Sequence, residues 1–265
     1  MKILRVKKLL LIAFFFYLPF CSMAWGLLGH RIVGQIADSY LTKKAKKAIA
    51  GILGDESVAM ASNWPDFIRS DPSYNALTPW HYINIKAGQN LDSIRNYLAN
   101  DTIADVYTKI NFLTTELKKK DIEQEKKVMY LRFLIHLVGD IHQPLHTGRP
   151  EDLGGNKVKV MWFGAPTNLH TVWDSKFVDF QQLSYTEYAA AINHTTKQSR
   201  KALQAASVSD WVLESYQVAE RIYGDVKEPD QKLDYLYNFN YLSTLNNQLL
   251  KGGVRLAGLL NEIFG

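Results

Sequence analysis

His136-Leu137-Val138-Gly139-Asp140-Ile141-His142-Gln143-Pro144-Leu145-His146 is the stretch on which the reading of this chain turns. Apolar residues at helical spacing lead into it from Ile122 and predict a helix to Ile141. His136 and Asp140 are four residues apart, so both side chains leave one face of that helix and can meet a single ion. Pro144 cannot continue the helix, and His146 returns from the loop that follows. His142, six residues past His136, falls on another face and reads as packing support for the ligands.

One such pair alone reads more readily as a helix-surface ion pair. A second pair at the same spacing, His170 and Asp174, makes that reading hard to sustain. The remaining histidines, apart from His194 in a polar stretch, are His30, near the start of the first helical segment, and His81, within the aromatic-rich Trp80-His81-Tyr82. Trp64-Pro65-Asp66 supplies a further carboxylate. Trp162, Trp173 and Trp211 read as core.

Working outward, helical periodicity also covers Ile32 to Leu53, with Thr42 as an N-cap for a second helix and Gly54 closing it. It returns over Leu91 to Leu117, Tyr185 to Leu203, Trp211 to Tyr223 and Leu233 to Phe264. Strand-like alternation is confined to Lys157 to Phe163, after Gly154-Gly155. The expected fold class is all-α, a single mainly helical domain with a short β-hairpin-like segment. Histidines, aspartates and prolines collect in the loops at 63–84 and 143–156.

Residues 1–24 read as a signal peptide: Lys2, Arg5, Lys7 and Lys8, then an apolar run from Leu9 to Phe20, then Ser22-Met23-Ala24. An uncleaved anchor is the alternative, for which the run is short; lipoprotein-type cleavage before Cys21 is opposed by the bulky Phe20. Cleavage after Ala24 removes four of the 31 basic residues and none of the 26 acidic ones. The near-neutral remainder, 25–265, gives no global-charge argument for nucleic-acid binding. It also loses the one cysteine, so its fold does not depend on disulfides. The expected location is exported, periplasmic or secreted.

Imidazole and carboxylate donors without thiols suit zinc, with ferrous iron or manganese as alternatives. Aspartates can bridge two metals, which favours a clustered catalytic site over a closed structural one.

With Trp25-Gly-Leu-Leu-Gly-His30, Trp64-Pro-Asp66, Trp80-His-Tyr82, the His136 to His146 segment, Gly154-Gly-Asn156 and Asn168-Leu-His-Thr-Val-Trp-Asp174 in order, the chain resembles the zinc-dependent single-strand nuclease family of fungi and plants. That family shares a superfamily with bacterial zinc-dependent phospholipase C. The resemblance implies three zinc ions (Zn2+) per chain. Asp66, His81 and His136 would hold one, with Asp140 bridging to a second that takes the α-amino nitrogen and carbonyl oxygen of Trp25 together with His30. His146, His170 and Asp174 would hold the third.

The same resemblance gives Asp66 and Arg69 catalytic roles and makes Tyr82, Asn84 and Asn156 contacts to a nucleobase. Asn84 replaces an aspartate of some relatives, so base preference does not carry over. The implied activity is endonucleolytic hydrolysis of single-stranded DNA and RNA to 5'-phosphates, with 3'-nucleotidase activity. The expected partner is that nucleic acid or nucleotide, with no stable protein partner, no membrane after cleavage, and a monomeric state. The rival readings are a phospholipase C on the same metal core and an exported zinc- or nucleotide-binding protein without turnover.

Overall fold

The computed structural model describes residues 25–265, so the signal-peptide expectation for 1–24 lies outside the described residues. The chain opens with α1 (Leu27–Ser39) and α2 (Lys43–Leu53), separated as expected at Thr42, whose hydroxyl accepts from the Ala45 N–H at 3.1 Å. Short helices α3 (Val58–Ala61) and α4 (Trp64–Phe67) follow, then 3-10 turns through Pro72–His81. Next come α5 (Leu91–Ala99), α6 (Val106–Leu117) and α7 (Gln124–Asp140).

A three-stranded sheet interrupts the helices. β1 (Lys159–Trp162) pairs antiparallel with β2 (Ala165–Asn168), Lys159 opposite Asn168, across a turn at Phe163-Gly164 with both residues at positive φ. β2 runs directly into α8 (Leu169–Thr171), a π-helical turn (Val172–Lys176) and α9 (Phe177–Asp179). The chain ends with α10 (Tyr185–Ile192), α11 (Lys197–Ala205), α12 (Val208–Asp225), β3 (Gln231–Leu233) and α13 (Tyr235–Phe264). β3 joins β1 in parallel, Val160 opposite Gln231.

The architecture is the expected helical one, with the hairpin at 159–168. Two expected helices are each divided. Leu91 to Leu117 breaks at Asp105, which accepts from the Thr108 N–H while Thr108 returns a bond to the Asp105 N–H, a capping box that starts α6 afresh. Tyr185 to Leu203 breaks at 193–196, where Thr196 caps α11. Apolar residues at Leu98, Ile103 and Val106 carry across the first break, whereas the second falls in a wholly polar run between Ile192 and Ala202.

The core is organised around α7. From Tyr130 to Asp140 nearly every residue is buried, apolar or not, as expected of a helix enclosed on all sides. α13 packs along α1, and both lie against α7. Truncating a fully buried member such as Leu134 to alanine would cost about 2–5 kcal/mol. The enclosed α7 has a chemical consequence: His136 and Asp140 are placed deep inside, fully out of solvent contact.

Candidate metal centre

Six parts of the fold carry donors to one place. α1 brings His30, α4 brings Asp66, the end of the 3-10 segment brings His81, and α7 brings His136 and Asp140. His146 comes from the 3-10 turn Pro144–Thr147, and His170 and Asp174 from the helix after β2. Asn168 caps that helix through the Thr171 N–H at 2.7 Å, and the π-helical turn sets where Asp174 projects.

The donors form three buried clusters able to hold metal, the first two sharing His136: His30, Asp66 and His136; His81, His136 and Asp140; and His146, His170 and Asp174. His136 Nε2 lies 3.1 Å from Asp140 Oδ2, and His170 Nε2 lies 3.0 Å from Asp174 Oδ2. Both four-residue spacings therefore converge as expected. His136 belongs to two clusters, and His30 stacks on its ring at 3.9 Å. Asp140 lies 3.4 Å from His30 Nε2 and 3.5 Å from His146 Nδ1, between the clusters.

The hydrogen bonds around these rings fix which nitrogen faces the cluster. His136 Nδ1 donates to the Ser62 carbonyl at 2.6 Å, His146 Nδ1 to the His81 carbonyl at 2.7 Å, and His170 Nδ1 to the Gly154 carbonyl at 2.6 Å. A carbonyl only accepts, so each Nδ1 carries the proton and each Nε2 keeps its lone pair for an ion. Gly154 makes this possible for His170: its φ is +64°, and a Cβ there would lie 2.5 Å from the Leu145 carbonyl oxygen.

The donor set also fits a cation by what it leaves unsatisfied. Both ring nitrogens of His30, both carboxylate oxygens of Asp66 and Oδ1 of Asp140 are buried without a hydrogen-bond partner. Burying carboxylates in this way is costly unless positive charge meets them. Within this set of side chains alone, burial pushes the His30 and His81 rings down. Burial also opposes charge on His136, yet the Asp140 and Asp66 carboxylates hold it up to about 9. Burial would raise Asp140, but His136 and His146 keep it well below the usual carboxylate range.

Trp25 is fully buried at the start of α1, and the Gly26 N–H donates to the Asp174 carbonyl at 2.5 Å, seating this segment beside the third cluster. His142 is buried and outside the clusters: its Nδ1 donates to the Val138 carbonyl and its Nε2 accepts from Arg255. His194 is exposed, and Trp162, Trp173 and Trp211 are core.

A cavity of about 220 Å³ opens over His81, His146 and His170. Its walls include Arg69, Tyr82, Asn84 and Asn156, so every expected substrate contact lies on one surface with the histidines. Tyr82 is 38% exposed and therefore not an ordinary core aromatic. Arg69 Nη1 stands 3.6 Å from Asp66 Oδ1. Asn156 donates to the Leu153 carbonyl, which leaves its Oδ1 for another donor.

Two residues, one on this surface and one buried behind it, escape sequence reasoning. Leu153, 56% exposed with φ +57°, lines the cavity, signalled only by an apolar residue beside Gly154-Gly155. Gln143 is fully buried, donates to Asp174 Oδ1 and accepts from the Leu145 N–H. Its only signal is an amide wedged between His142 and Pro144.

Comparisons with known proteins find relatives over nearly the whole described chain. Endonuclease 3 of Arabidopsis thaliana is 29% identical over 267 residues, covering 92% of this chain and 90% of its own. Endonuclease 2 of the same plant is 30% identical, over 91% of both chains, and nuclease P1 of Penicillium citrinum is 28% identical, over 91% of this chain and 98% of its own. Among solved structures, an alpha toxin from Clostridium absonum aligns with a TM-score of 0.48 at 18% identity, over 92% of this chain and 66% of that chain. The S1/P1 nuclease family model matches residues 25–265, the whole described chain, and the chain accordingly belongs to that family of phosphodiester-cleaving hydrolases.

Proposed function

We propose that this chain is an exported, zinc-dependent endonuclease that hydrolyses single-stranded DNA and RNA to 5'-phosphate products and also acts as a 3'-nucleotidase. The observation that carries the reading is the cavity in which His81, His146 and His170, members of two metal-competent clusters, face an exposed tyrosine and two asparagines. The mature domain is 25–265, released by removal of 1–24, and it acts as a monomer without a membrane or a stable protein partner.

Zinc would be held by Asp66, His81, His136 and bridging Asp140; by Trp25, His30 and Asp140; and by His146, His170 and Asp174. Three such ions would supply Lewis acidity at phosphoryl oxygens and make water acidic enough to attack near neutral pH. Asp66, with neither oxygen hydrogen-bonded inside the site, orients the attacking water and accepts its proton. Arg69 neutralises charge on the phosphoryl oxygens from the cavity wall. Tyr82 offers a stacking face to any base, which selects unpaired strands because a duplex keeps its bases stacked within. Asn84 and Asn156 hydrogen-bond the base edge and, as amides, both donate and accept.

Purified protein assayed on single-stranded and duplex DNA, on RNA and on 3'-AMP tests this. The expected result is zinc-dependent cleavage of single strands, release of phosphate from 3'-AMP, and little action on duplex. Zinc-loaded protein inert on all four, or active instead on phosphatidylcholine, would overturn it.

A further inference from the structure

A second hollow begins where the histidine-lined cavity ends, and Asn84 is the wall they share. It encloses about 370 Å³ between Asn84, Ile85, Lys86, Gln89, Ile94 and Tyr97. No member of the metal clusters lines it.

One extended segment connects the two. From Tyr82 to Lys86 the side chains alternate: Tyr82, Asn84 and Lys86 are exposed, and Ile83 and Ile85 are buried. The Ile83 N–H donates to the His146 carbonyl at 2.8 Å and the Ile85 N–H to the Gly148 carbonyl at 3.0 Å, so the segment is pinned to the loop that carries a metal donor. Alternate residues of an extended chain stand roughly 6–7 Å apart on one face. A ring, an amide and a cation therefore follow one another out of the first cavity, at a pitch comparable to one nucleotide step.

The far end of this row is equally fixed. The Gln89 N–H donates to the Tyr216 hydroxyl at 2.9 Å, that hydroxyl donates to the Lys86 carbonyl at 3.2 Å, and the Gly88 N–H donates to Glu220 at 3.1 Å. Tyr97, on α5, is 39% exposed and turns part of its ring surface to the hollow. The Lys86 ammonium has no partner among the described residues. A rigid wall that presents an aromatic surface and an uncommitted cation beside a base pocket has the chemistry of a single-strand track, where stacking holds bases and cations meet phosphates.

We infer that the second hollow is a further nucleotide subsite, in which Tyr97 stacks the base one step beyond that held at Tyr82 and Asn84, and Lys86 pairs with the phosphate between the two. This rests on the nuclease function proposed above and extends it from one base to a strand. Because the subsite lies away from the metal clusters, a dinucleotide spanning the cleaved bond does not reach it, and a trinucleotide or longer does.

The test compares kcat/KM on dinucleotide, trinucleotide and tetranucleotide oligothymidylates for the zinc-loaded protein and for K86A, K86R, Y97A and K86A/Y97A. The unaltered chain should gain about tenfold or more on passing from dinucleotide to trinucleotide, since one stacked base is worth about 1–3 kcal/mol. The double variant should lose that gain, K86R should keep it, and K86A should flatten the salt dependence on the tetranucleotide by a slope of about 0.7. Anisotropy of a labelled hexathymidylate binding to chelated protein gives an independent reading, with K86A/Y97A expected to bind about tenfold or more weakly.

A length gain retained in K86A/Y97A, no gain in the unaltered chain, or an equal loss on the dinucleotide would each overturn the subsite while leaving the nuclease reading intact. A failure of the unaltered chain to cleave any of the oligonucleotides would overturn both.

Discussion

Gly139 is what allows His30 to lie against α7: a Cβ at Gly139 would fall 2.6 Å from His30 Nδ1. α1 and α7 approach one another closely enough to bring His30 and Asp140 together only because that position has no side chain.

Gly139→Ala is therefore expected to injure the site more than the fold. Alanine favours the helix by about 1 kcal/mol over glycine, but the buried His30 ring must shift. A displacement near 1 Å costs on the order of 100-fold in a positioned site. Turnover on single-stranded DNA should fall by about that factor, with fewer metals per chain by elemental analysis. Full metal content together with full activity would refute the steric argument.

The seat of Trp25 gives a second prediction. The ring is buried and Gly26 is tied to Asp174, so the start of the described chain is fixed beside the clusters. If the Trp25 amine is a ligand, a form that retains Ala24 presents an amide there and should hold two zincs where the trimmed form holds three. Equal metal content in forms that begin at Ala24 and at Trp25, each verified by mass, would sink the idea.

Much of this site was legible in the chain because its constraints are local. His136 with Asp140, and His170 with Asp174, each announce a shared face through a spacing of four. What stayed hidden depends on contacts distant in sequence. Gln143 reaches Asp174 only once the loop has folded back, and the sharing of His136 by two clusters needs α1 packed on α7. The parallel pairing of β3 with β1 joins segments far apart in the chain, and three residues are too few for a strand pattern to show. The break at Asp105 is obscured because Leu98, Ile103 and Val106 carry apolar residues across it, while the one at 193–196 is signalled only by a polar run that also suits an exposed helix.

Gln143 is expected to act as a positioning residue. Its amide donates to Asp174 while its own oxygen is held by Leu145, so it fixes the carboxylate's direction. Loss of a partner of this kind typically weakens metal binding by about 10–100-fold. Gln143→Ala should lower zinc affinity by that factor at one of three sites, measured by competition with a chelating dye, and Gln143→Glu should not restore it because a carboxylate cannot donate. Unchanged affinity in the alanine variant would remove the role.

The His136 ring predicts opposite pH trends for chelated and zinc-loaded protein. Its folded pKa stands at about 9 against an ordinary 6.5, so its contribution to stability is present below 6.5 and is lost as pH rises through about 9. The melting temperature of chelated protein should fall between pH 7 and 9.5. Zinc must displace that proton, so apparent zinc affinity should rise over the same window. Chelated protein that melts higher at pH 9 than at pH 7 would contradict the assignment.

Asp105 is stabilising as a cap and destabilising as a charge, and the two effects can be separated. Its Oδ1 accepts from the Thr108 N–H at 2.9 Å, while its Oδ2 is buried without a partner. Burial, with Asp101 beside it, raises its carboxyl to about 7. A folded pKa above the ordinary 3.8 means stability present below 3.8 and lost as pH rises through about 7. Asparagine caps a helix as well as aspartate does, so Asp105→Asn keeps the bond to Thr108 and removes the charge. The variant should be more stable than the unaltered chain at pH 8, by about 1 kcal/mol once solvent screening is allowed for, and the gain should vanish near pH 4. Because the Val106 N–H donates to the Tyr82 carbonyl at 3.2 Å, this cap also supports the backbone that carries the Tyr82 ring. Urea titrations at the two pH values decide the matter: a variant less stable at pH 8 would show that the carboxylate's charge is needed for the cap.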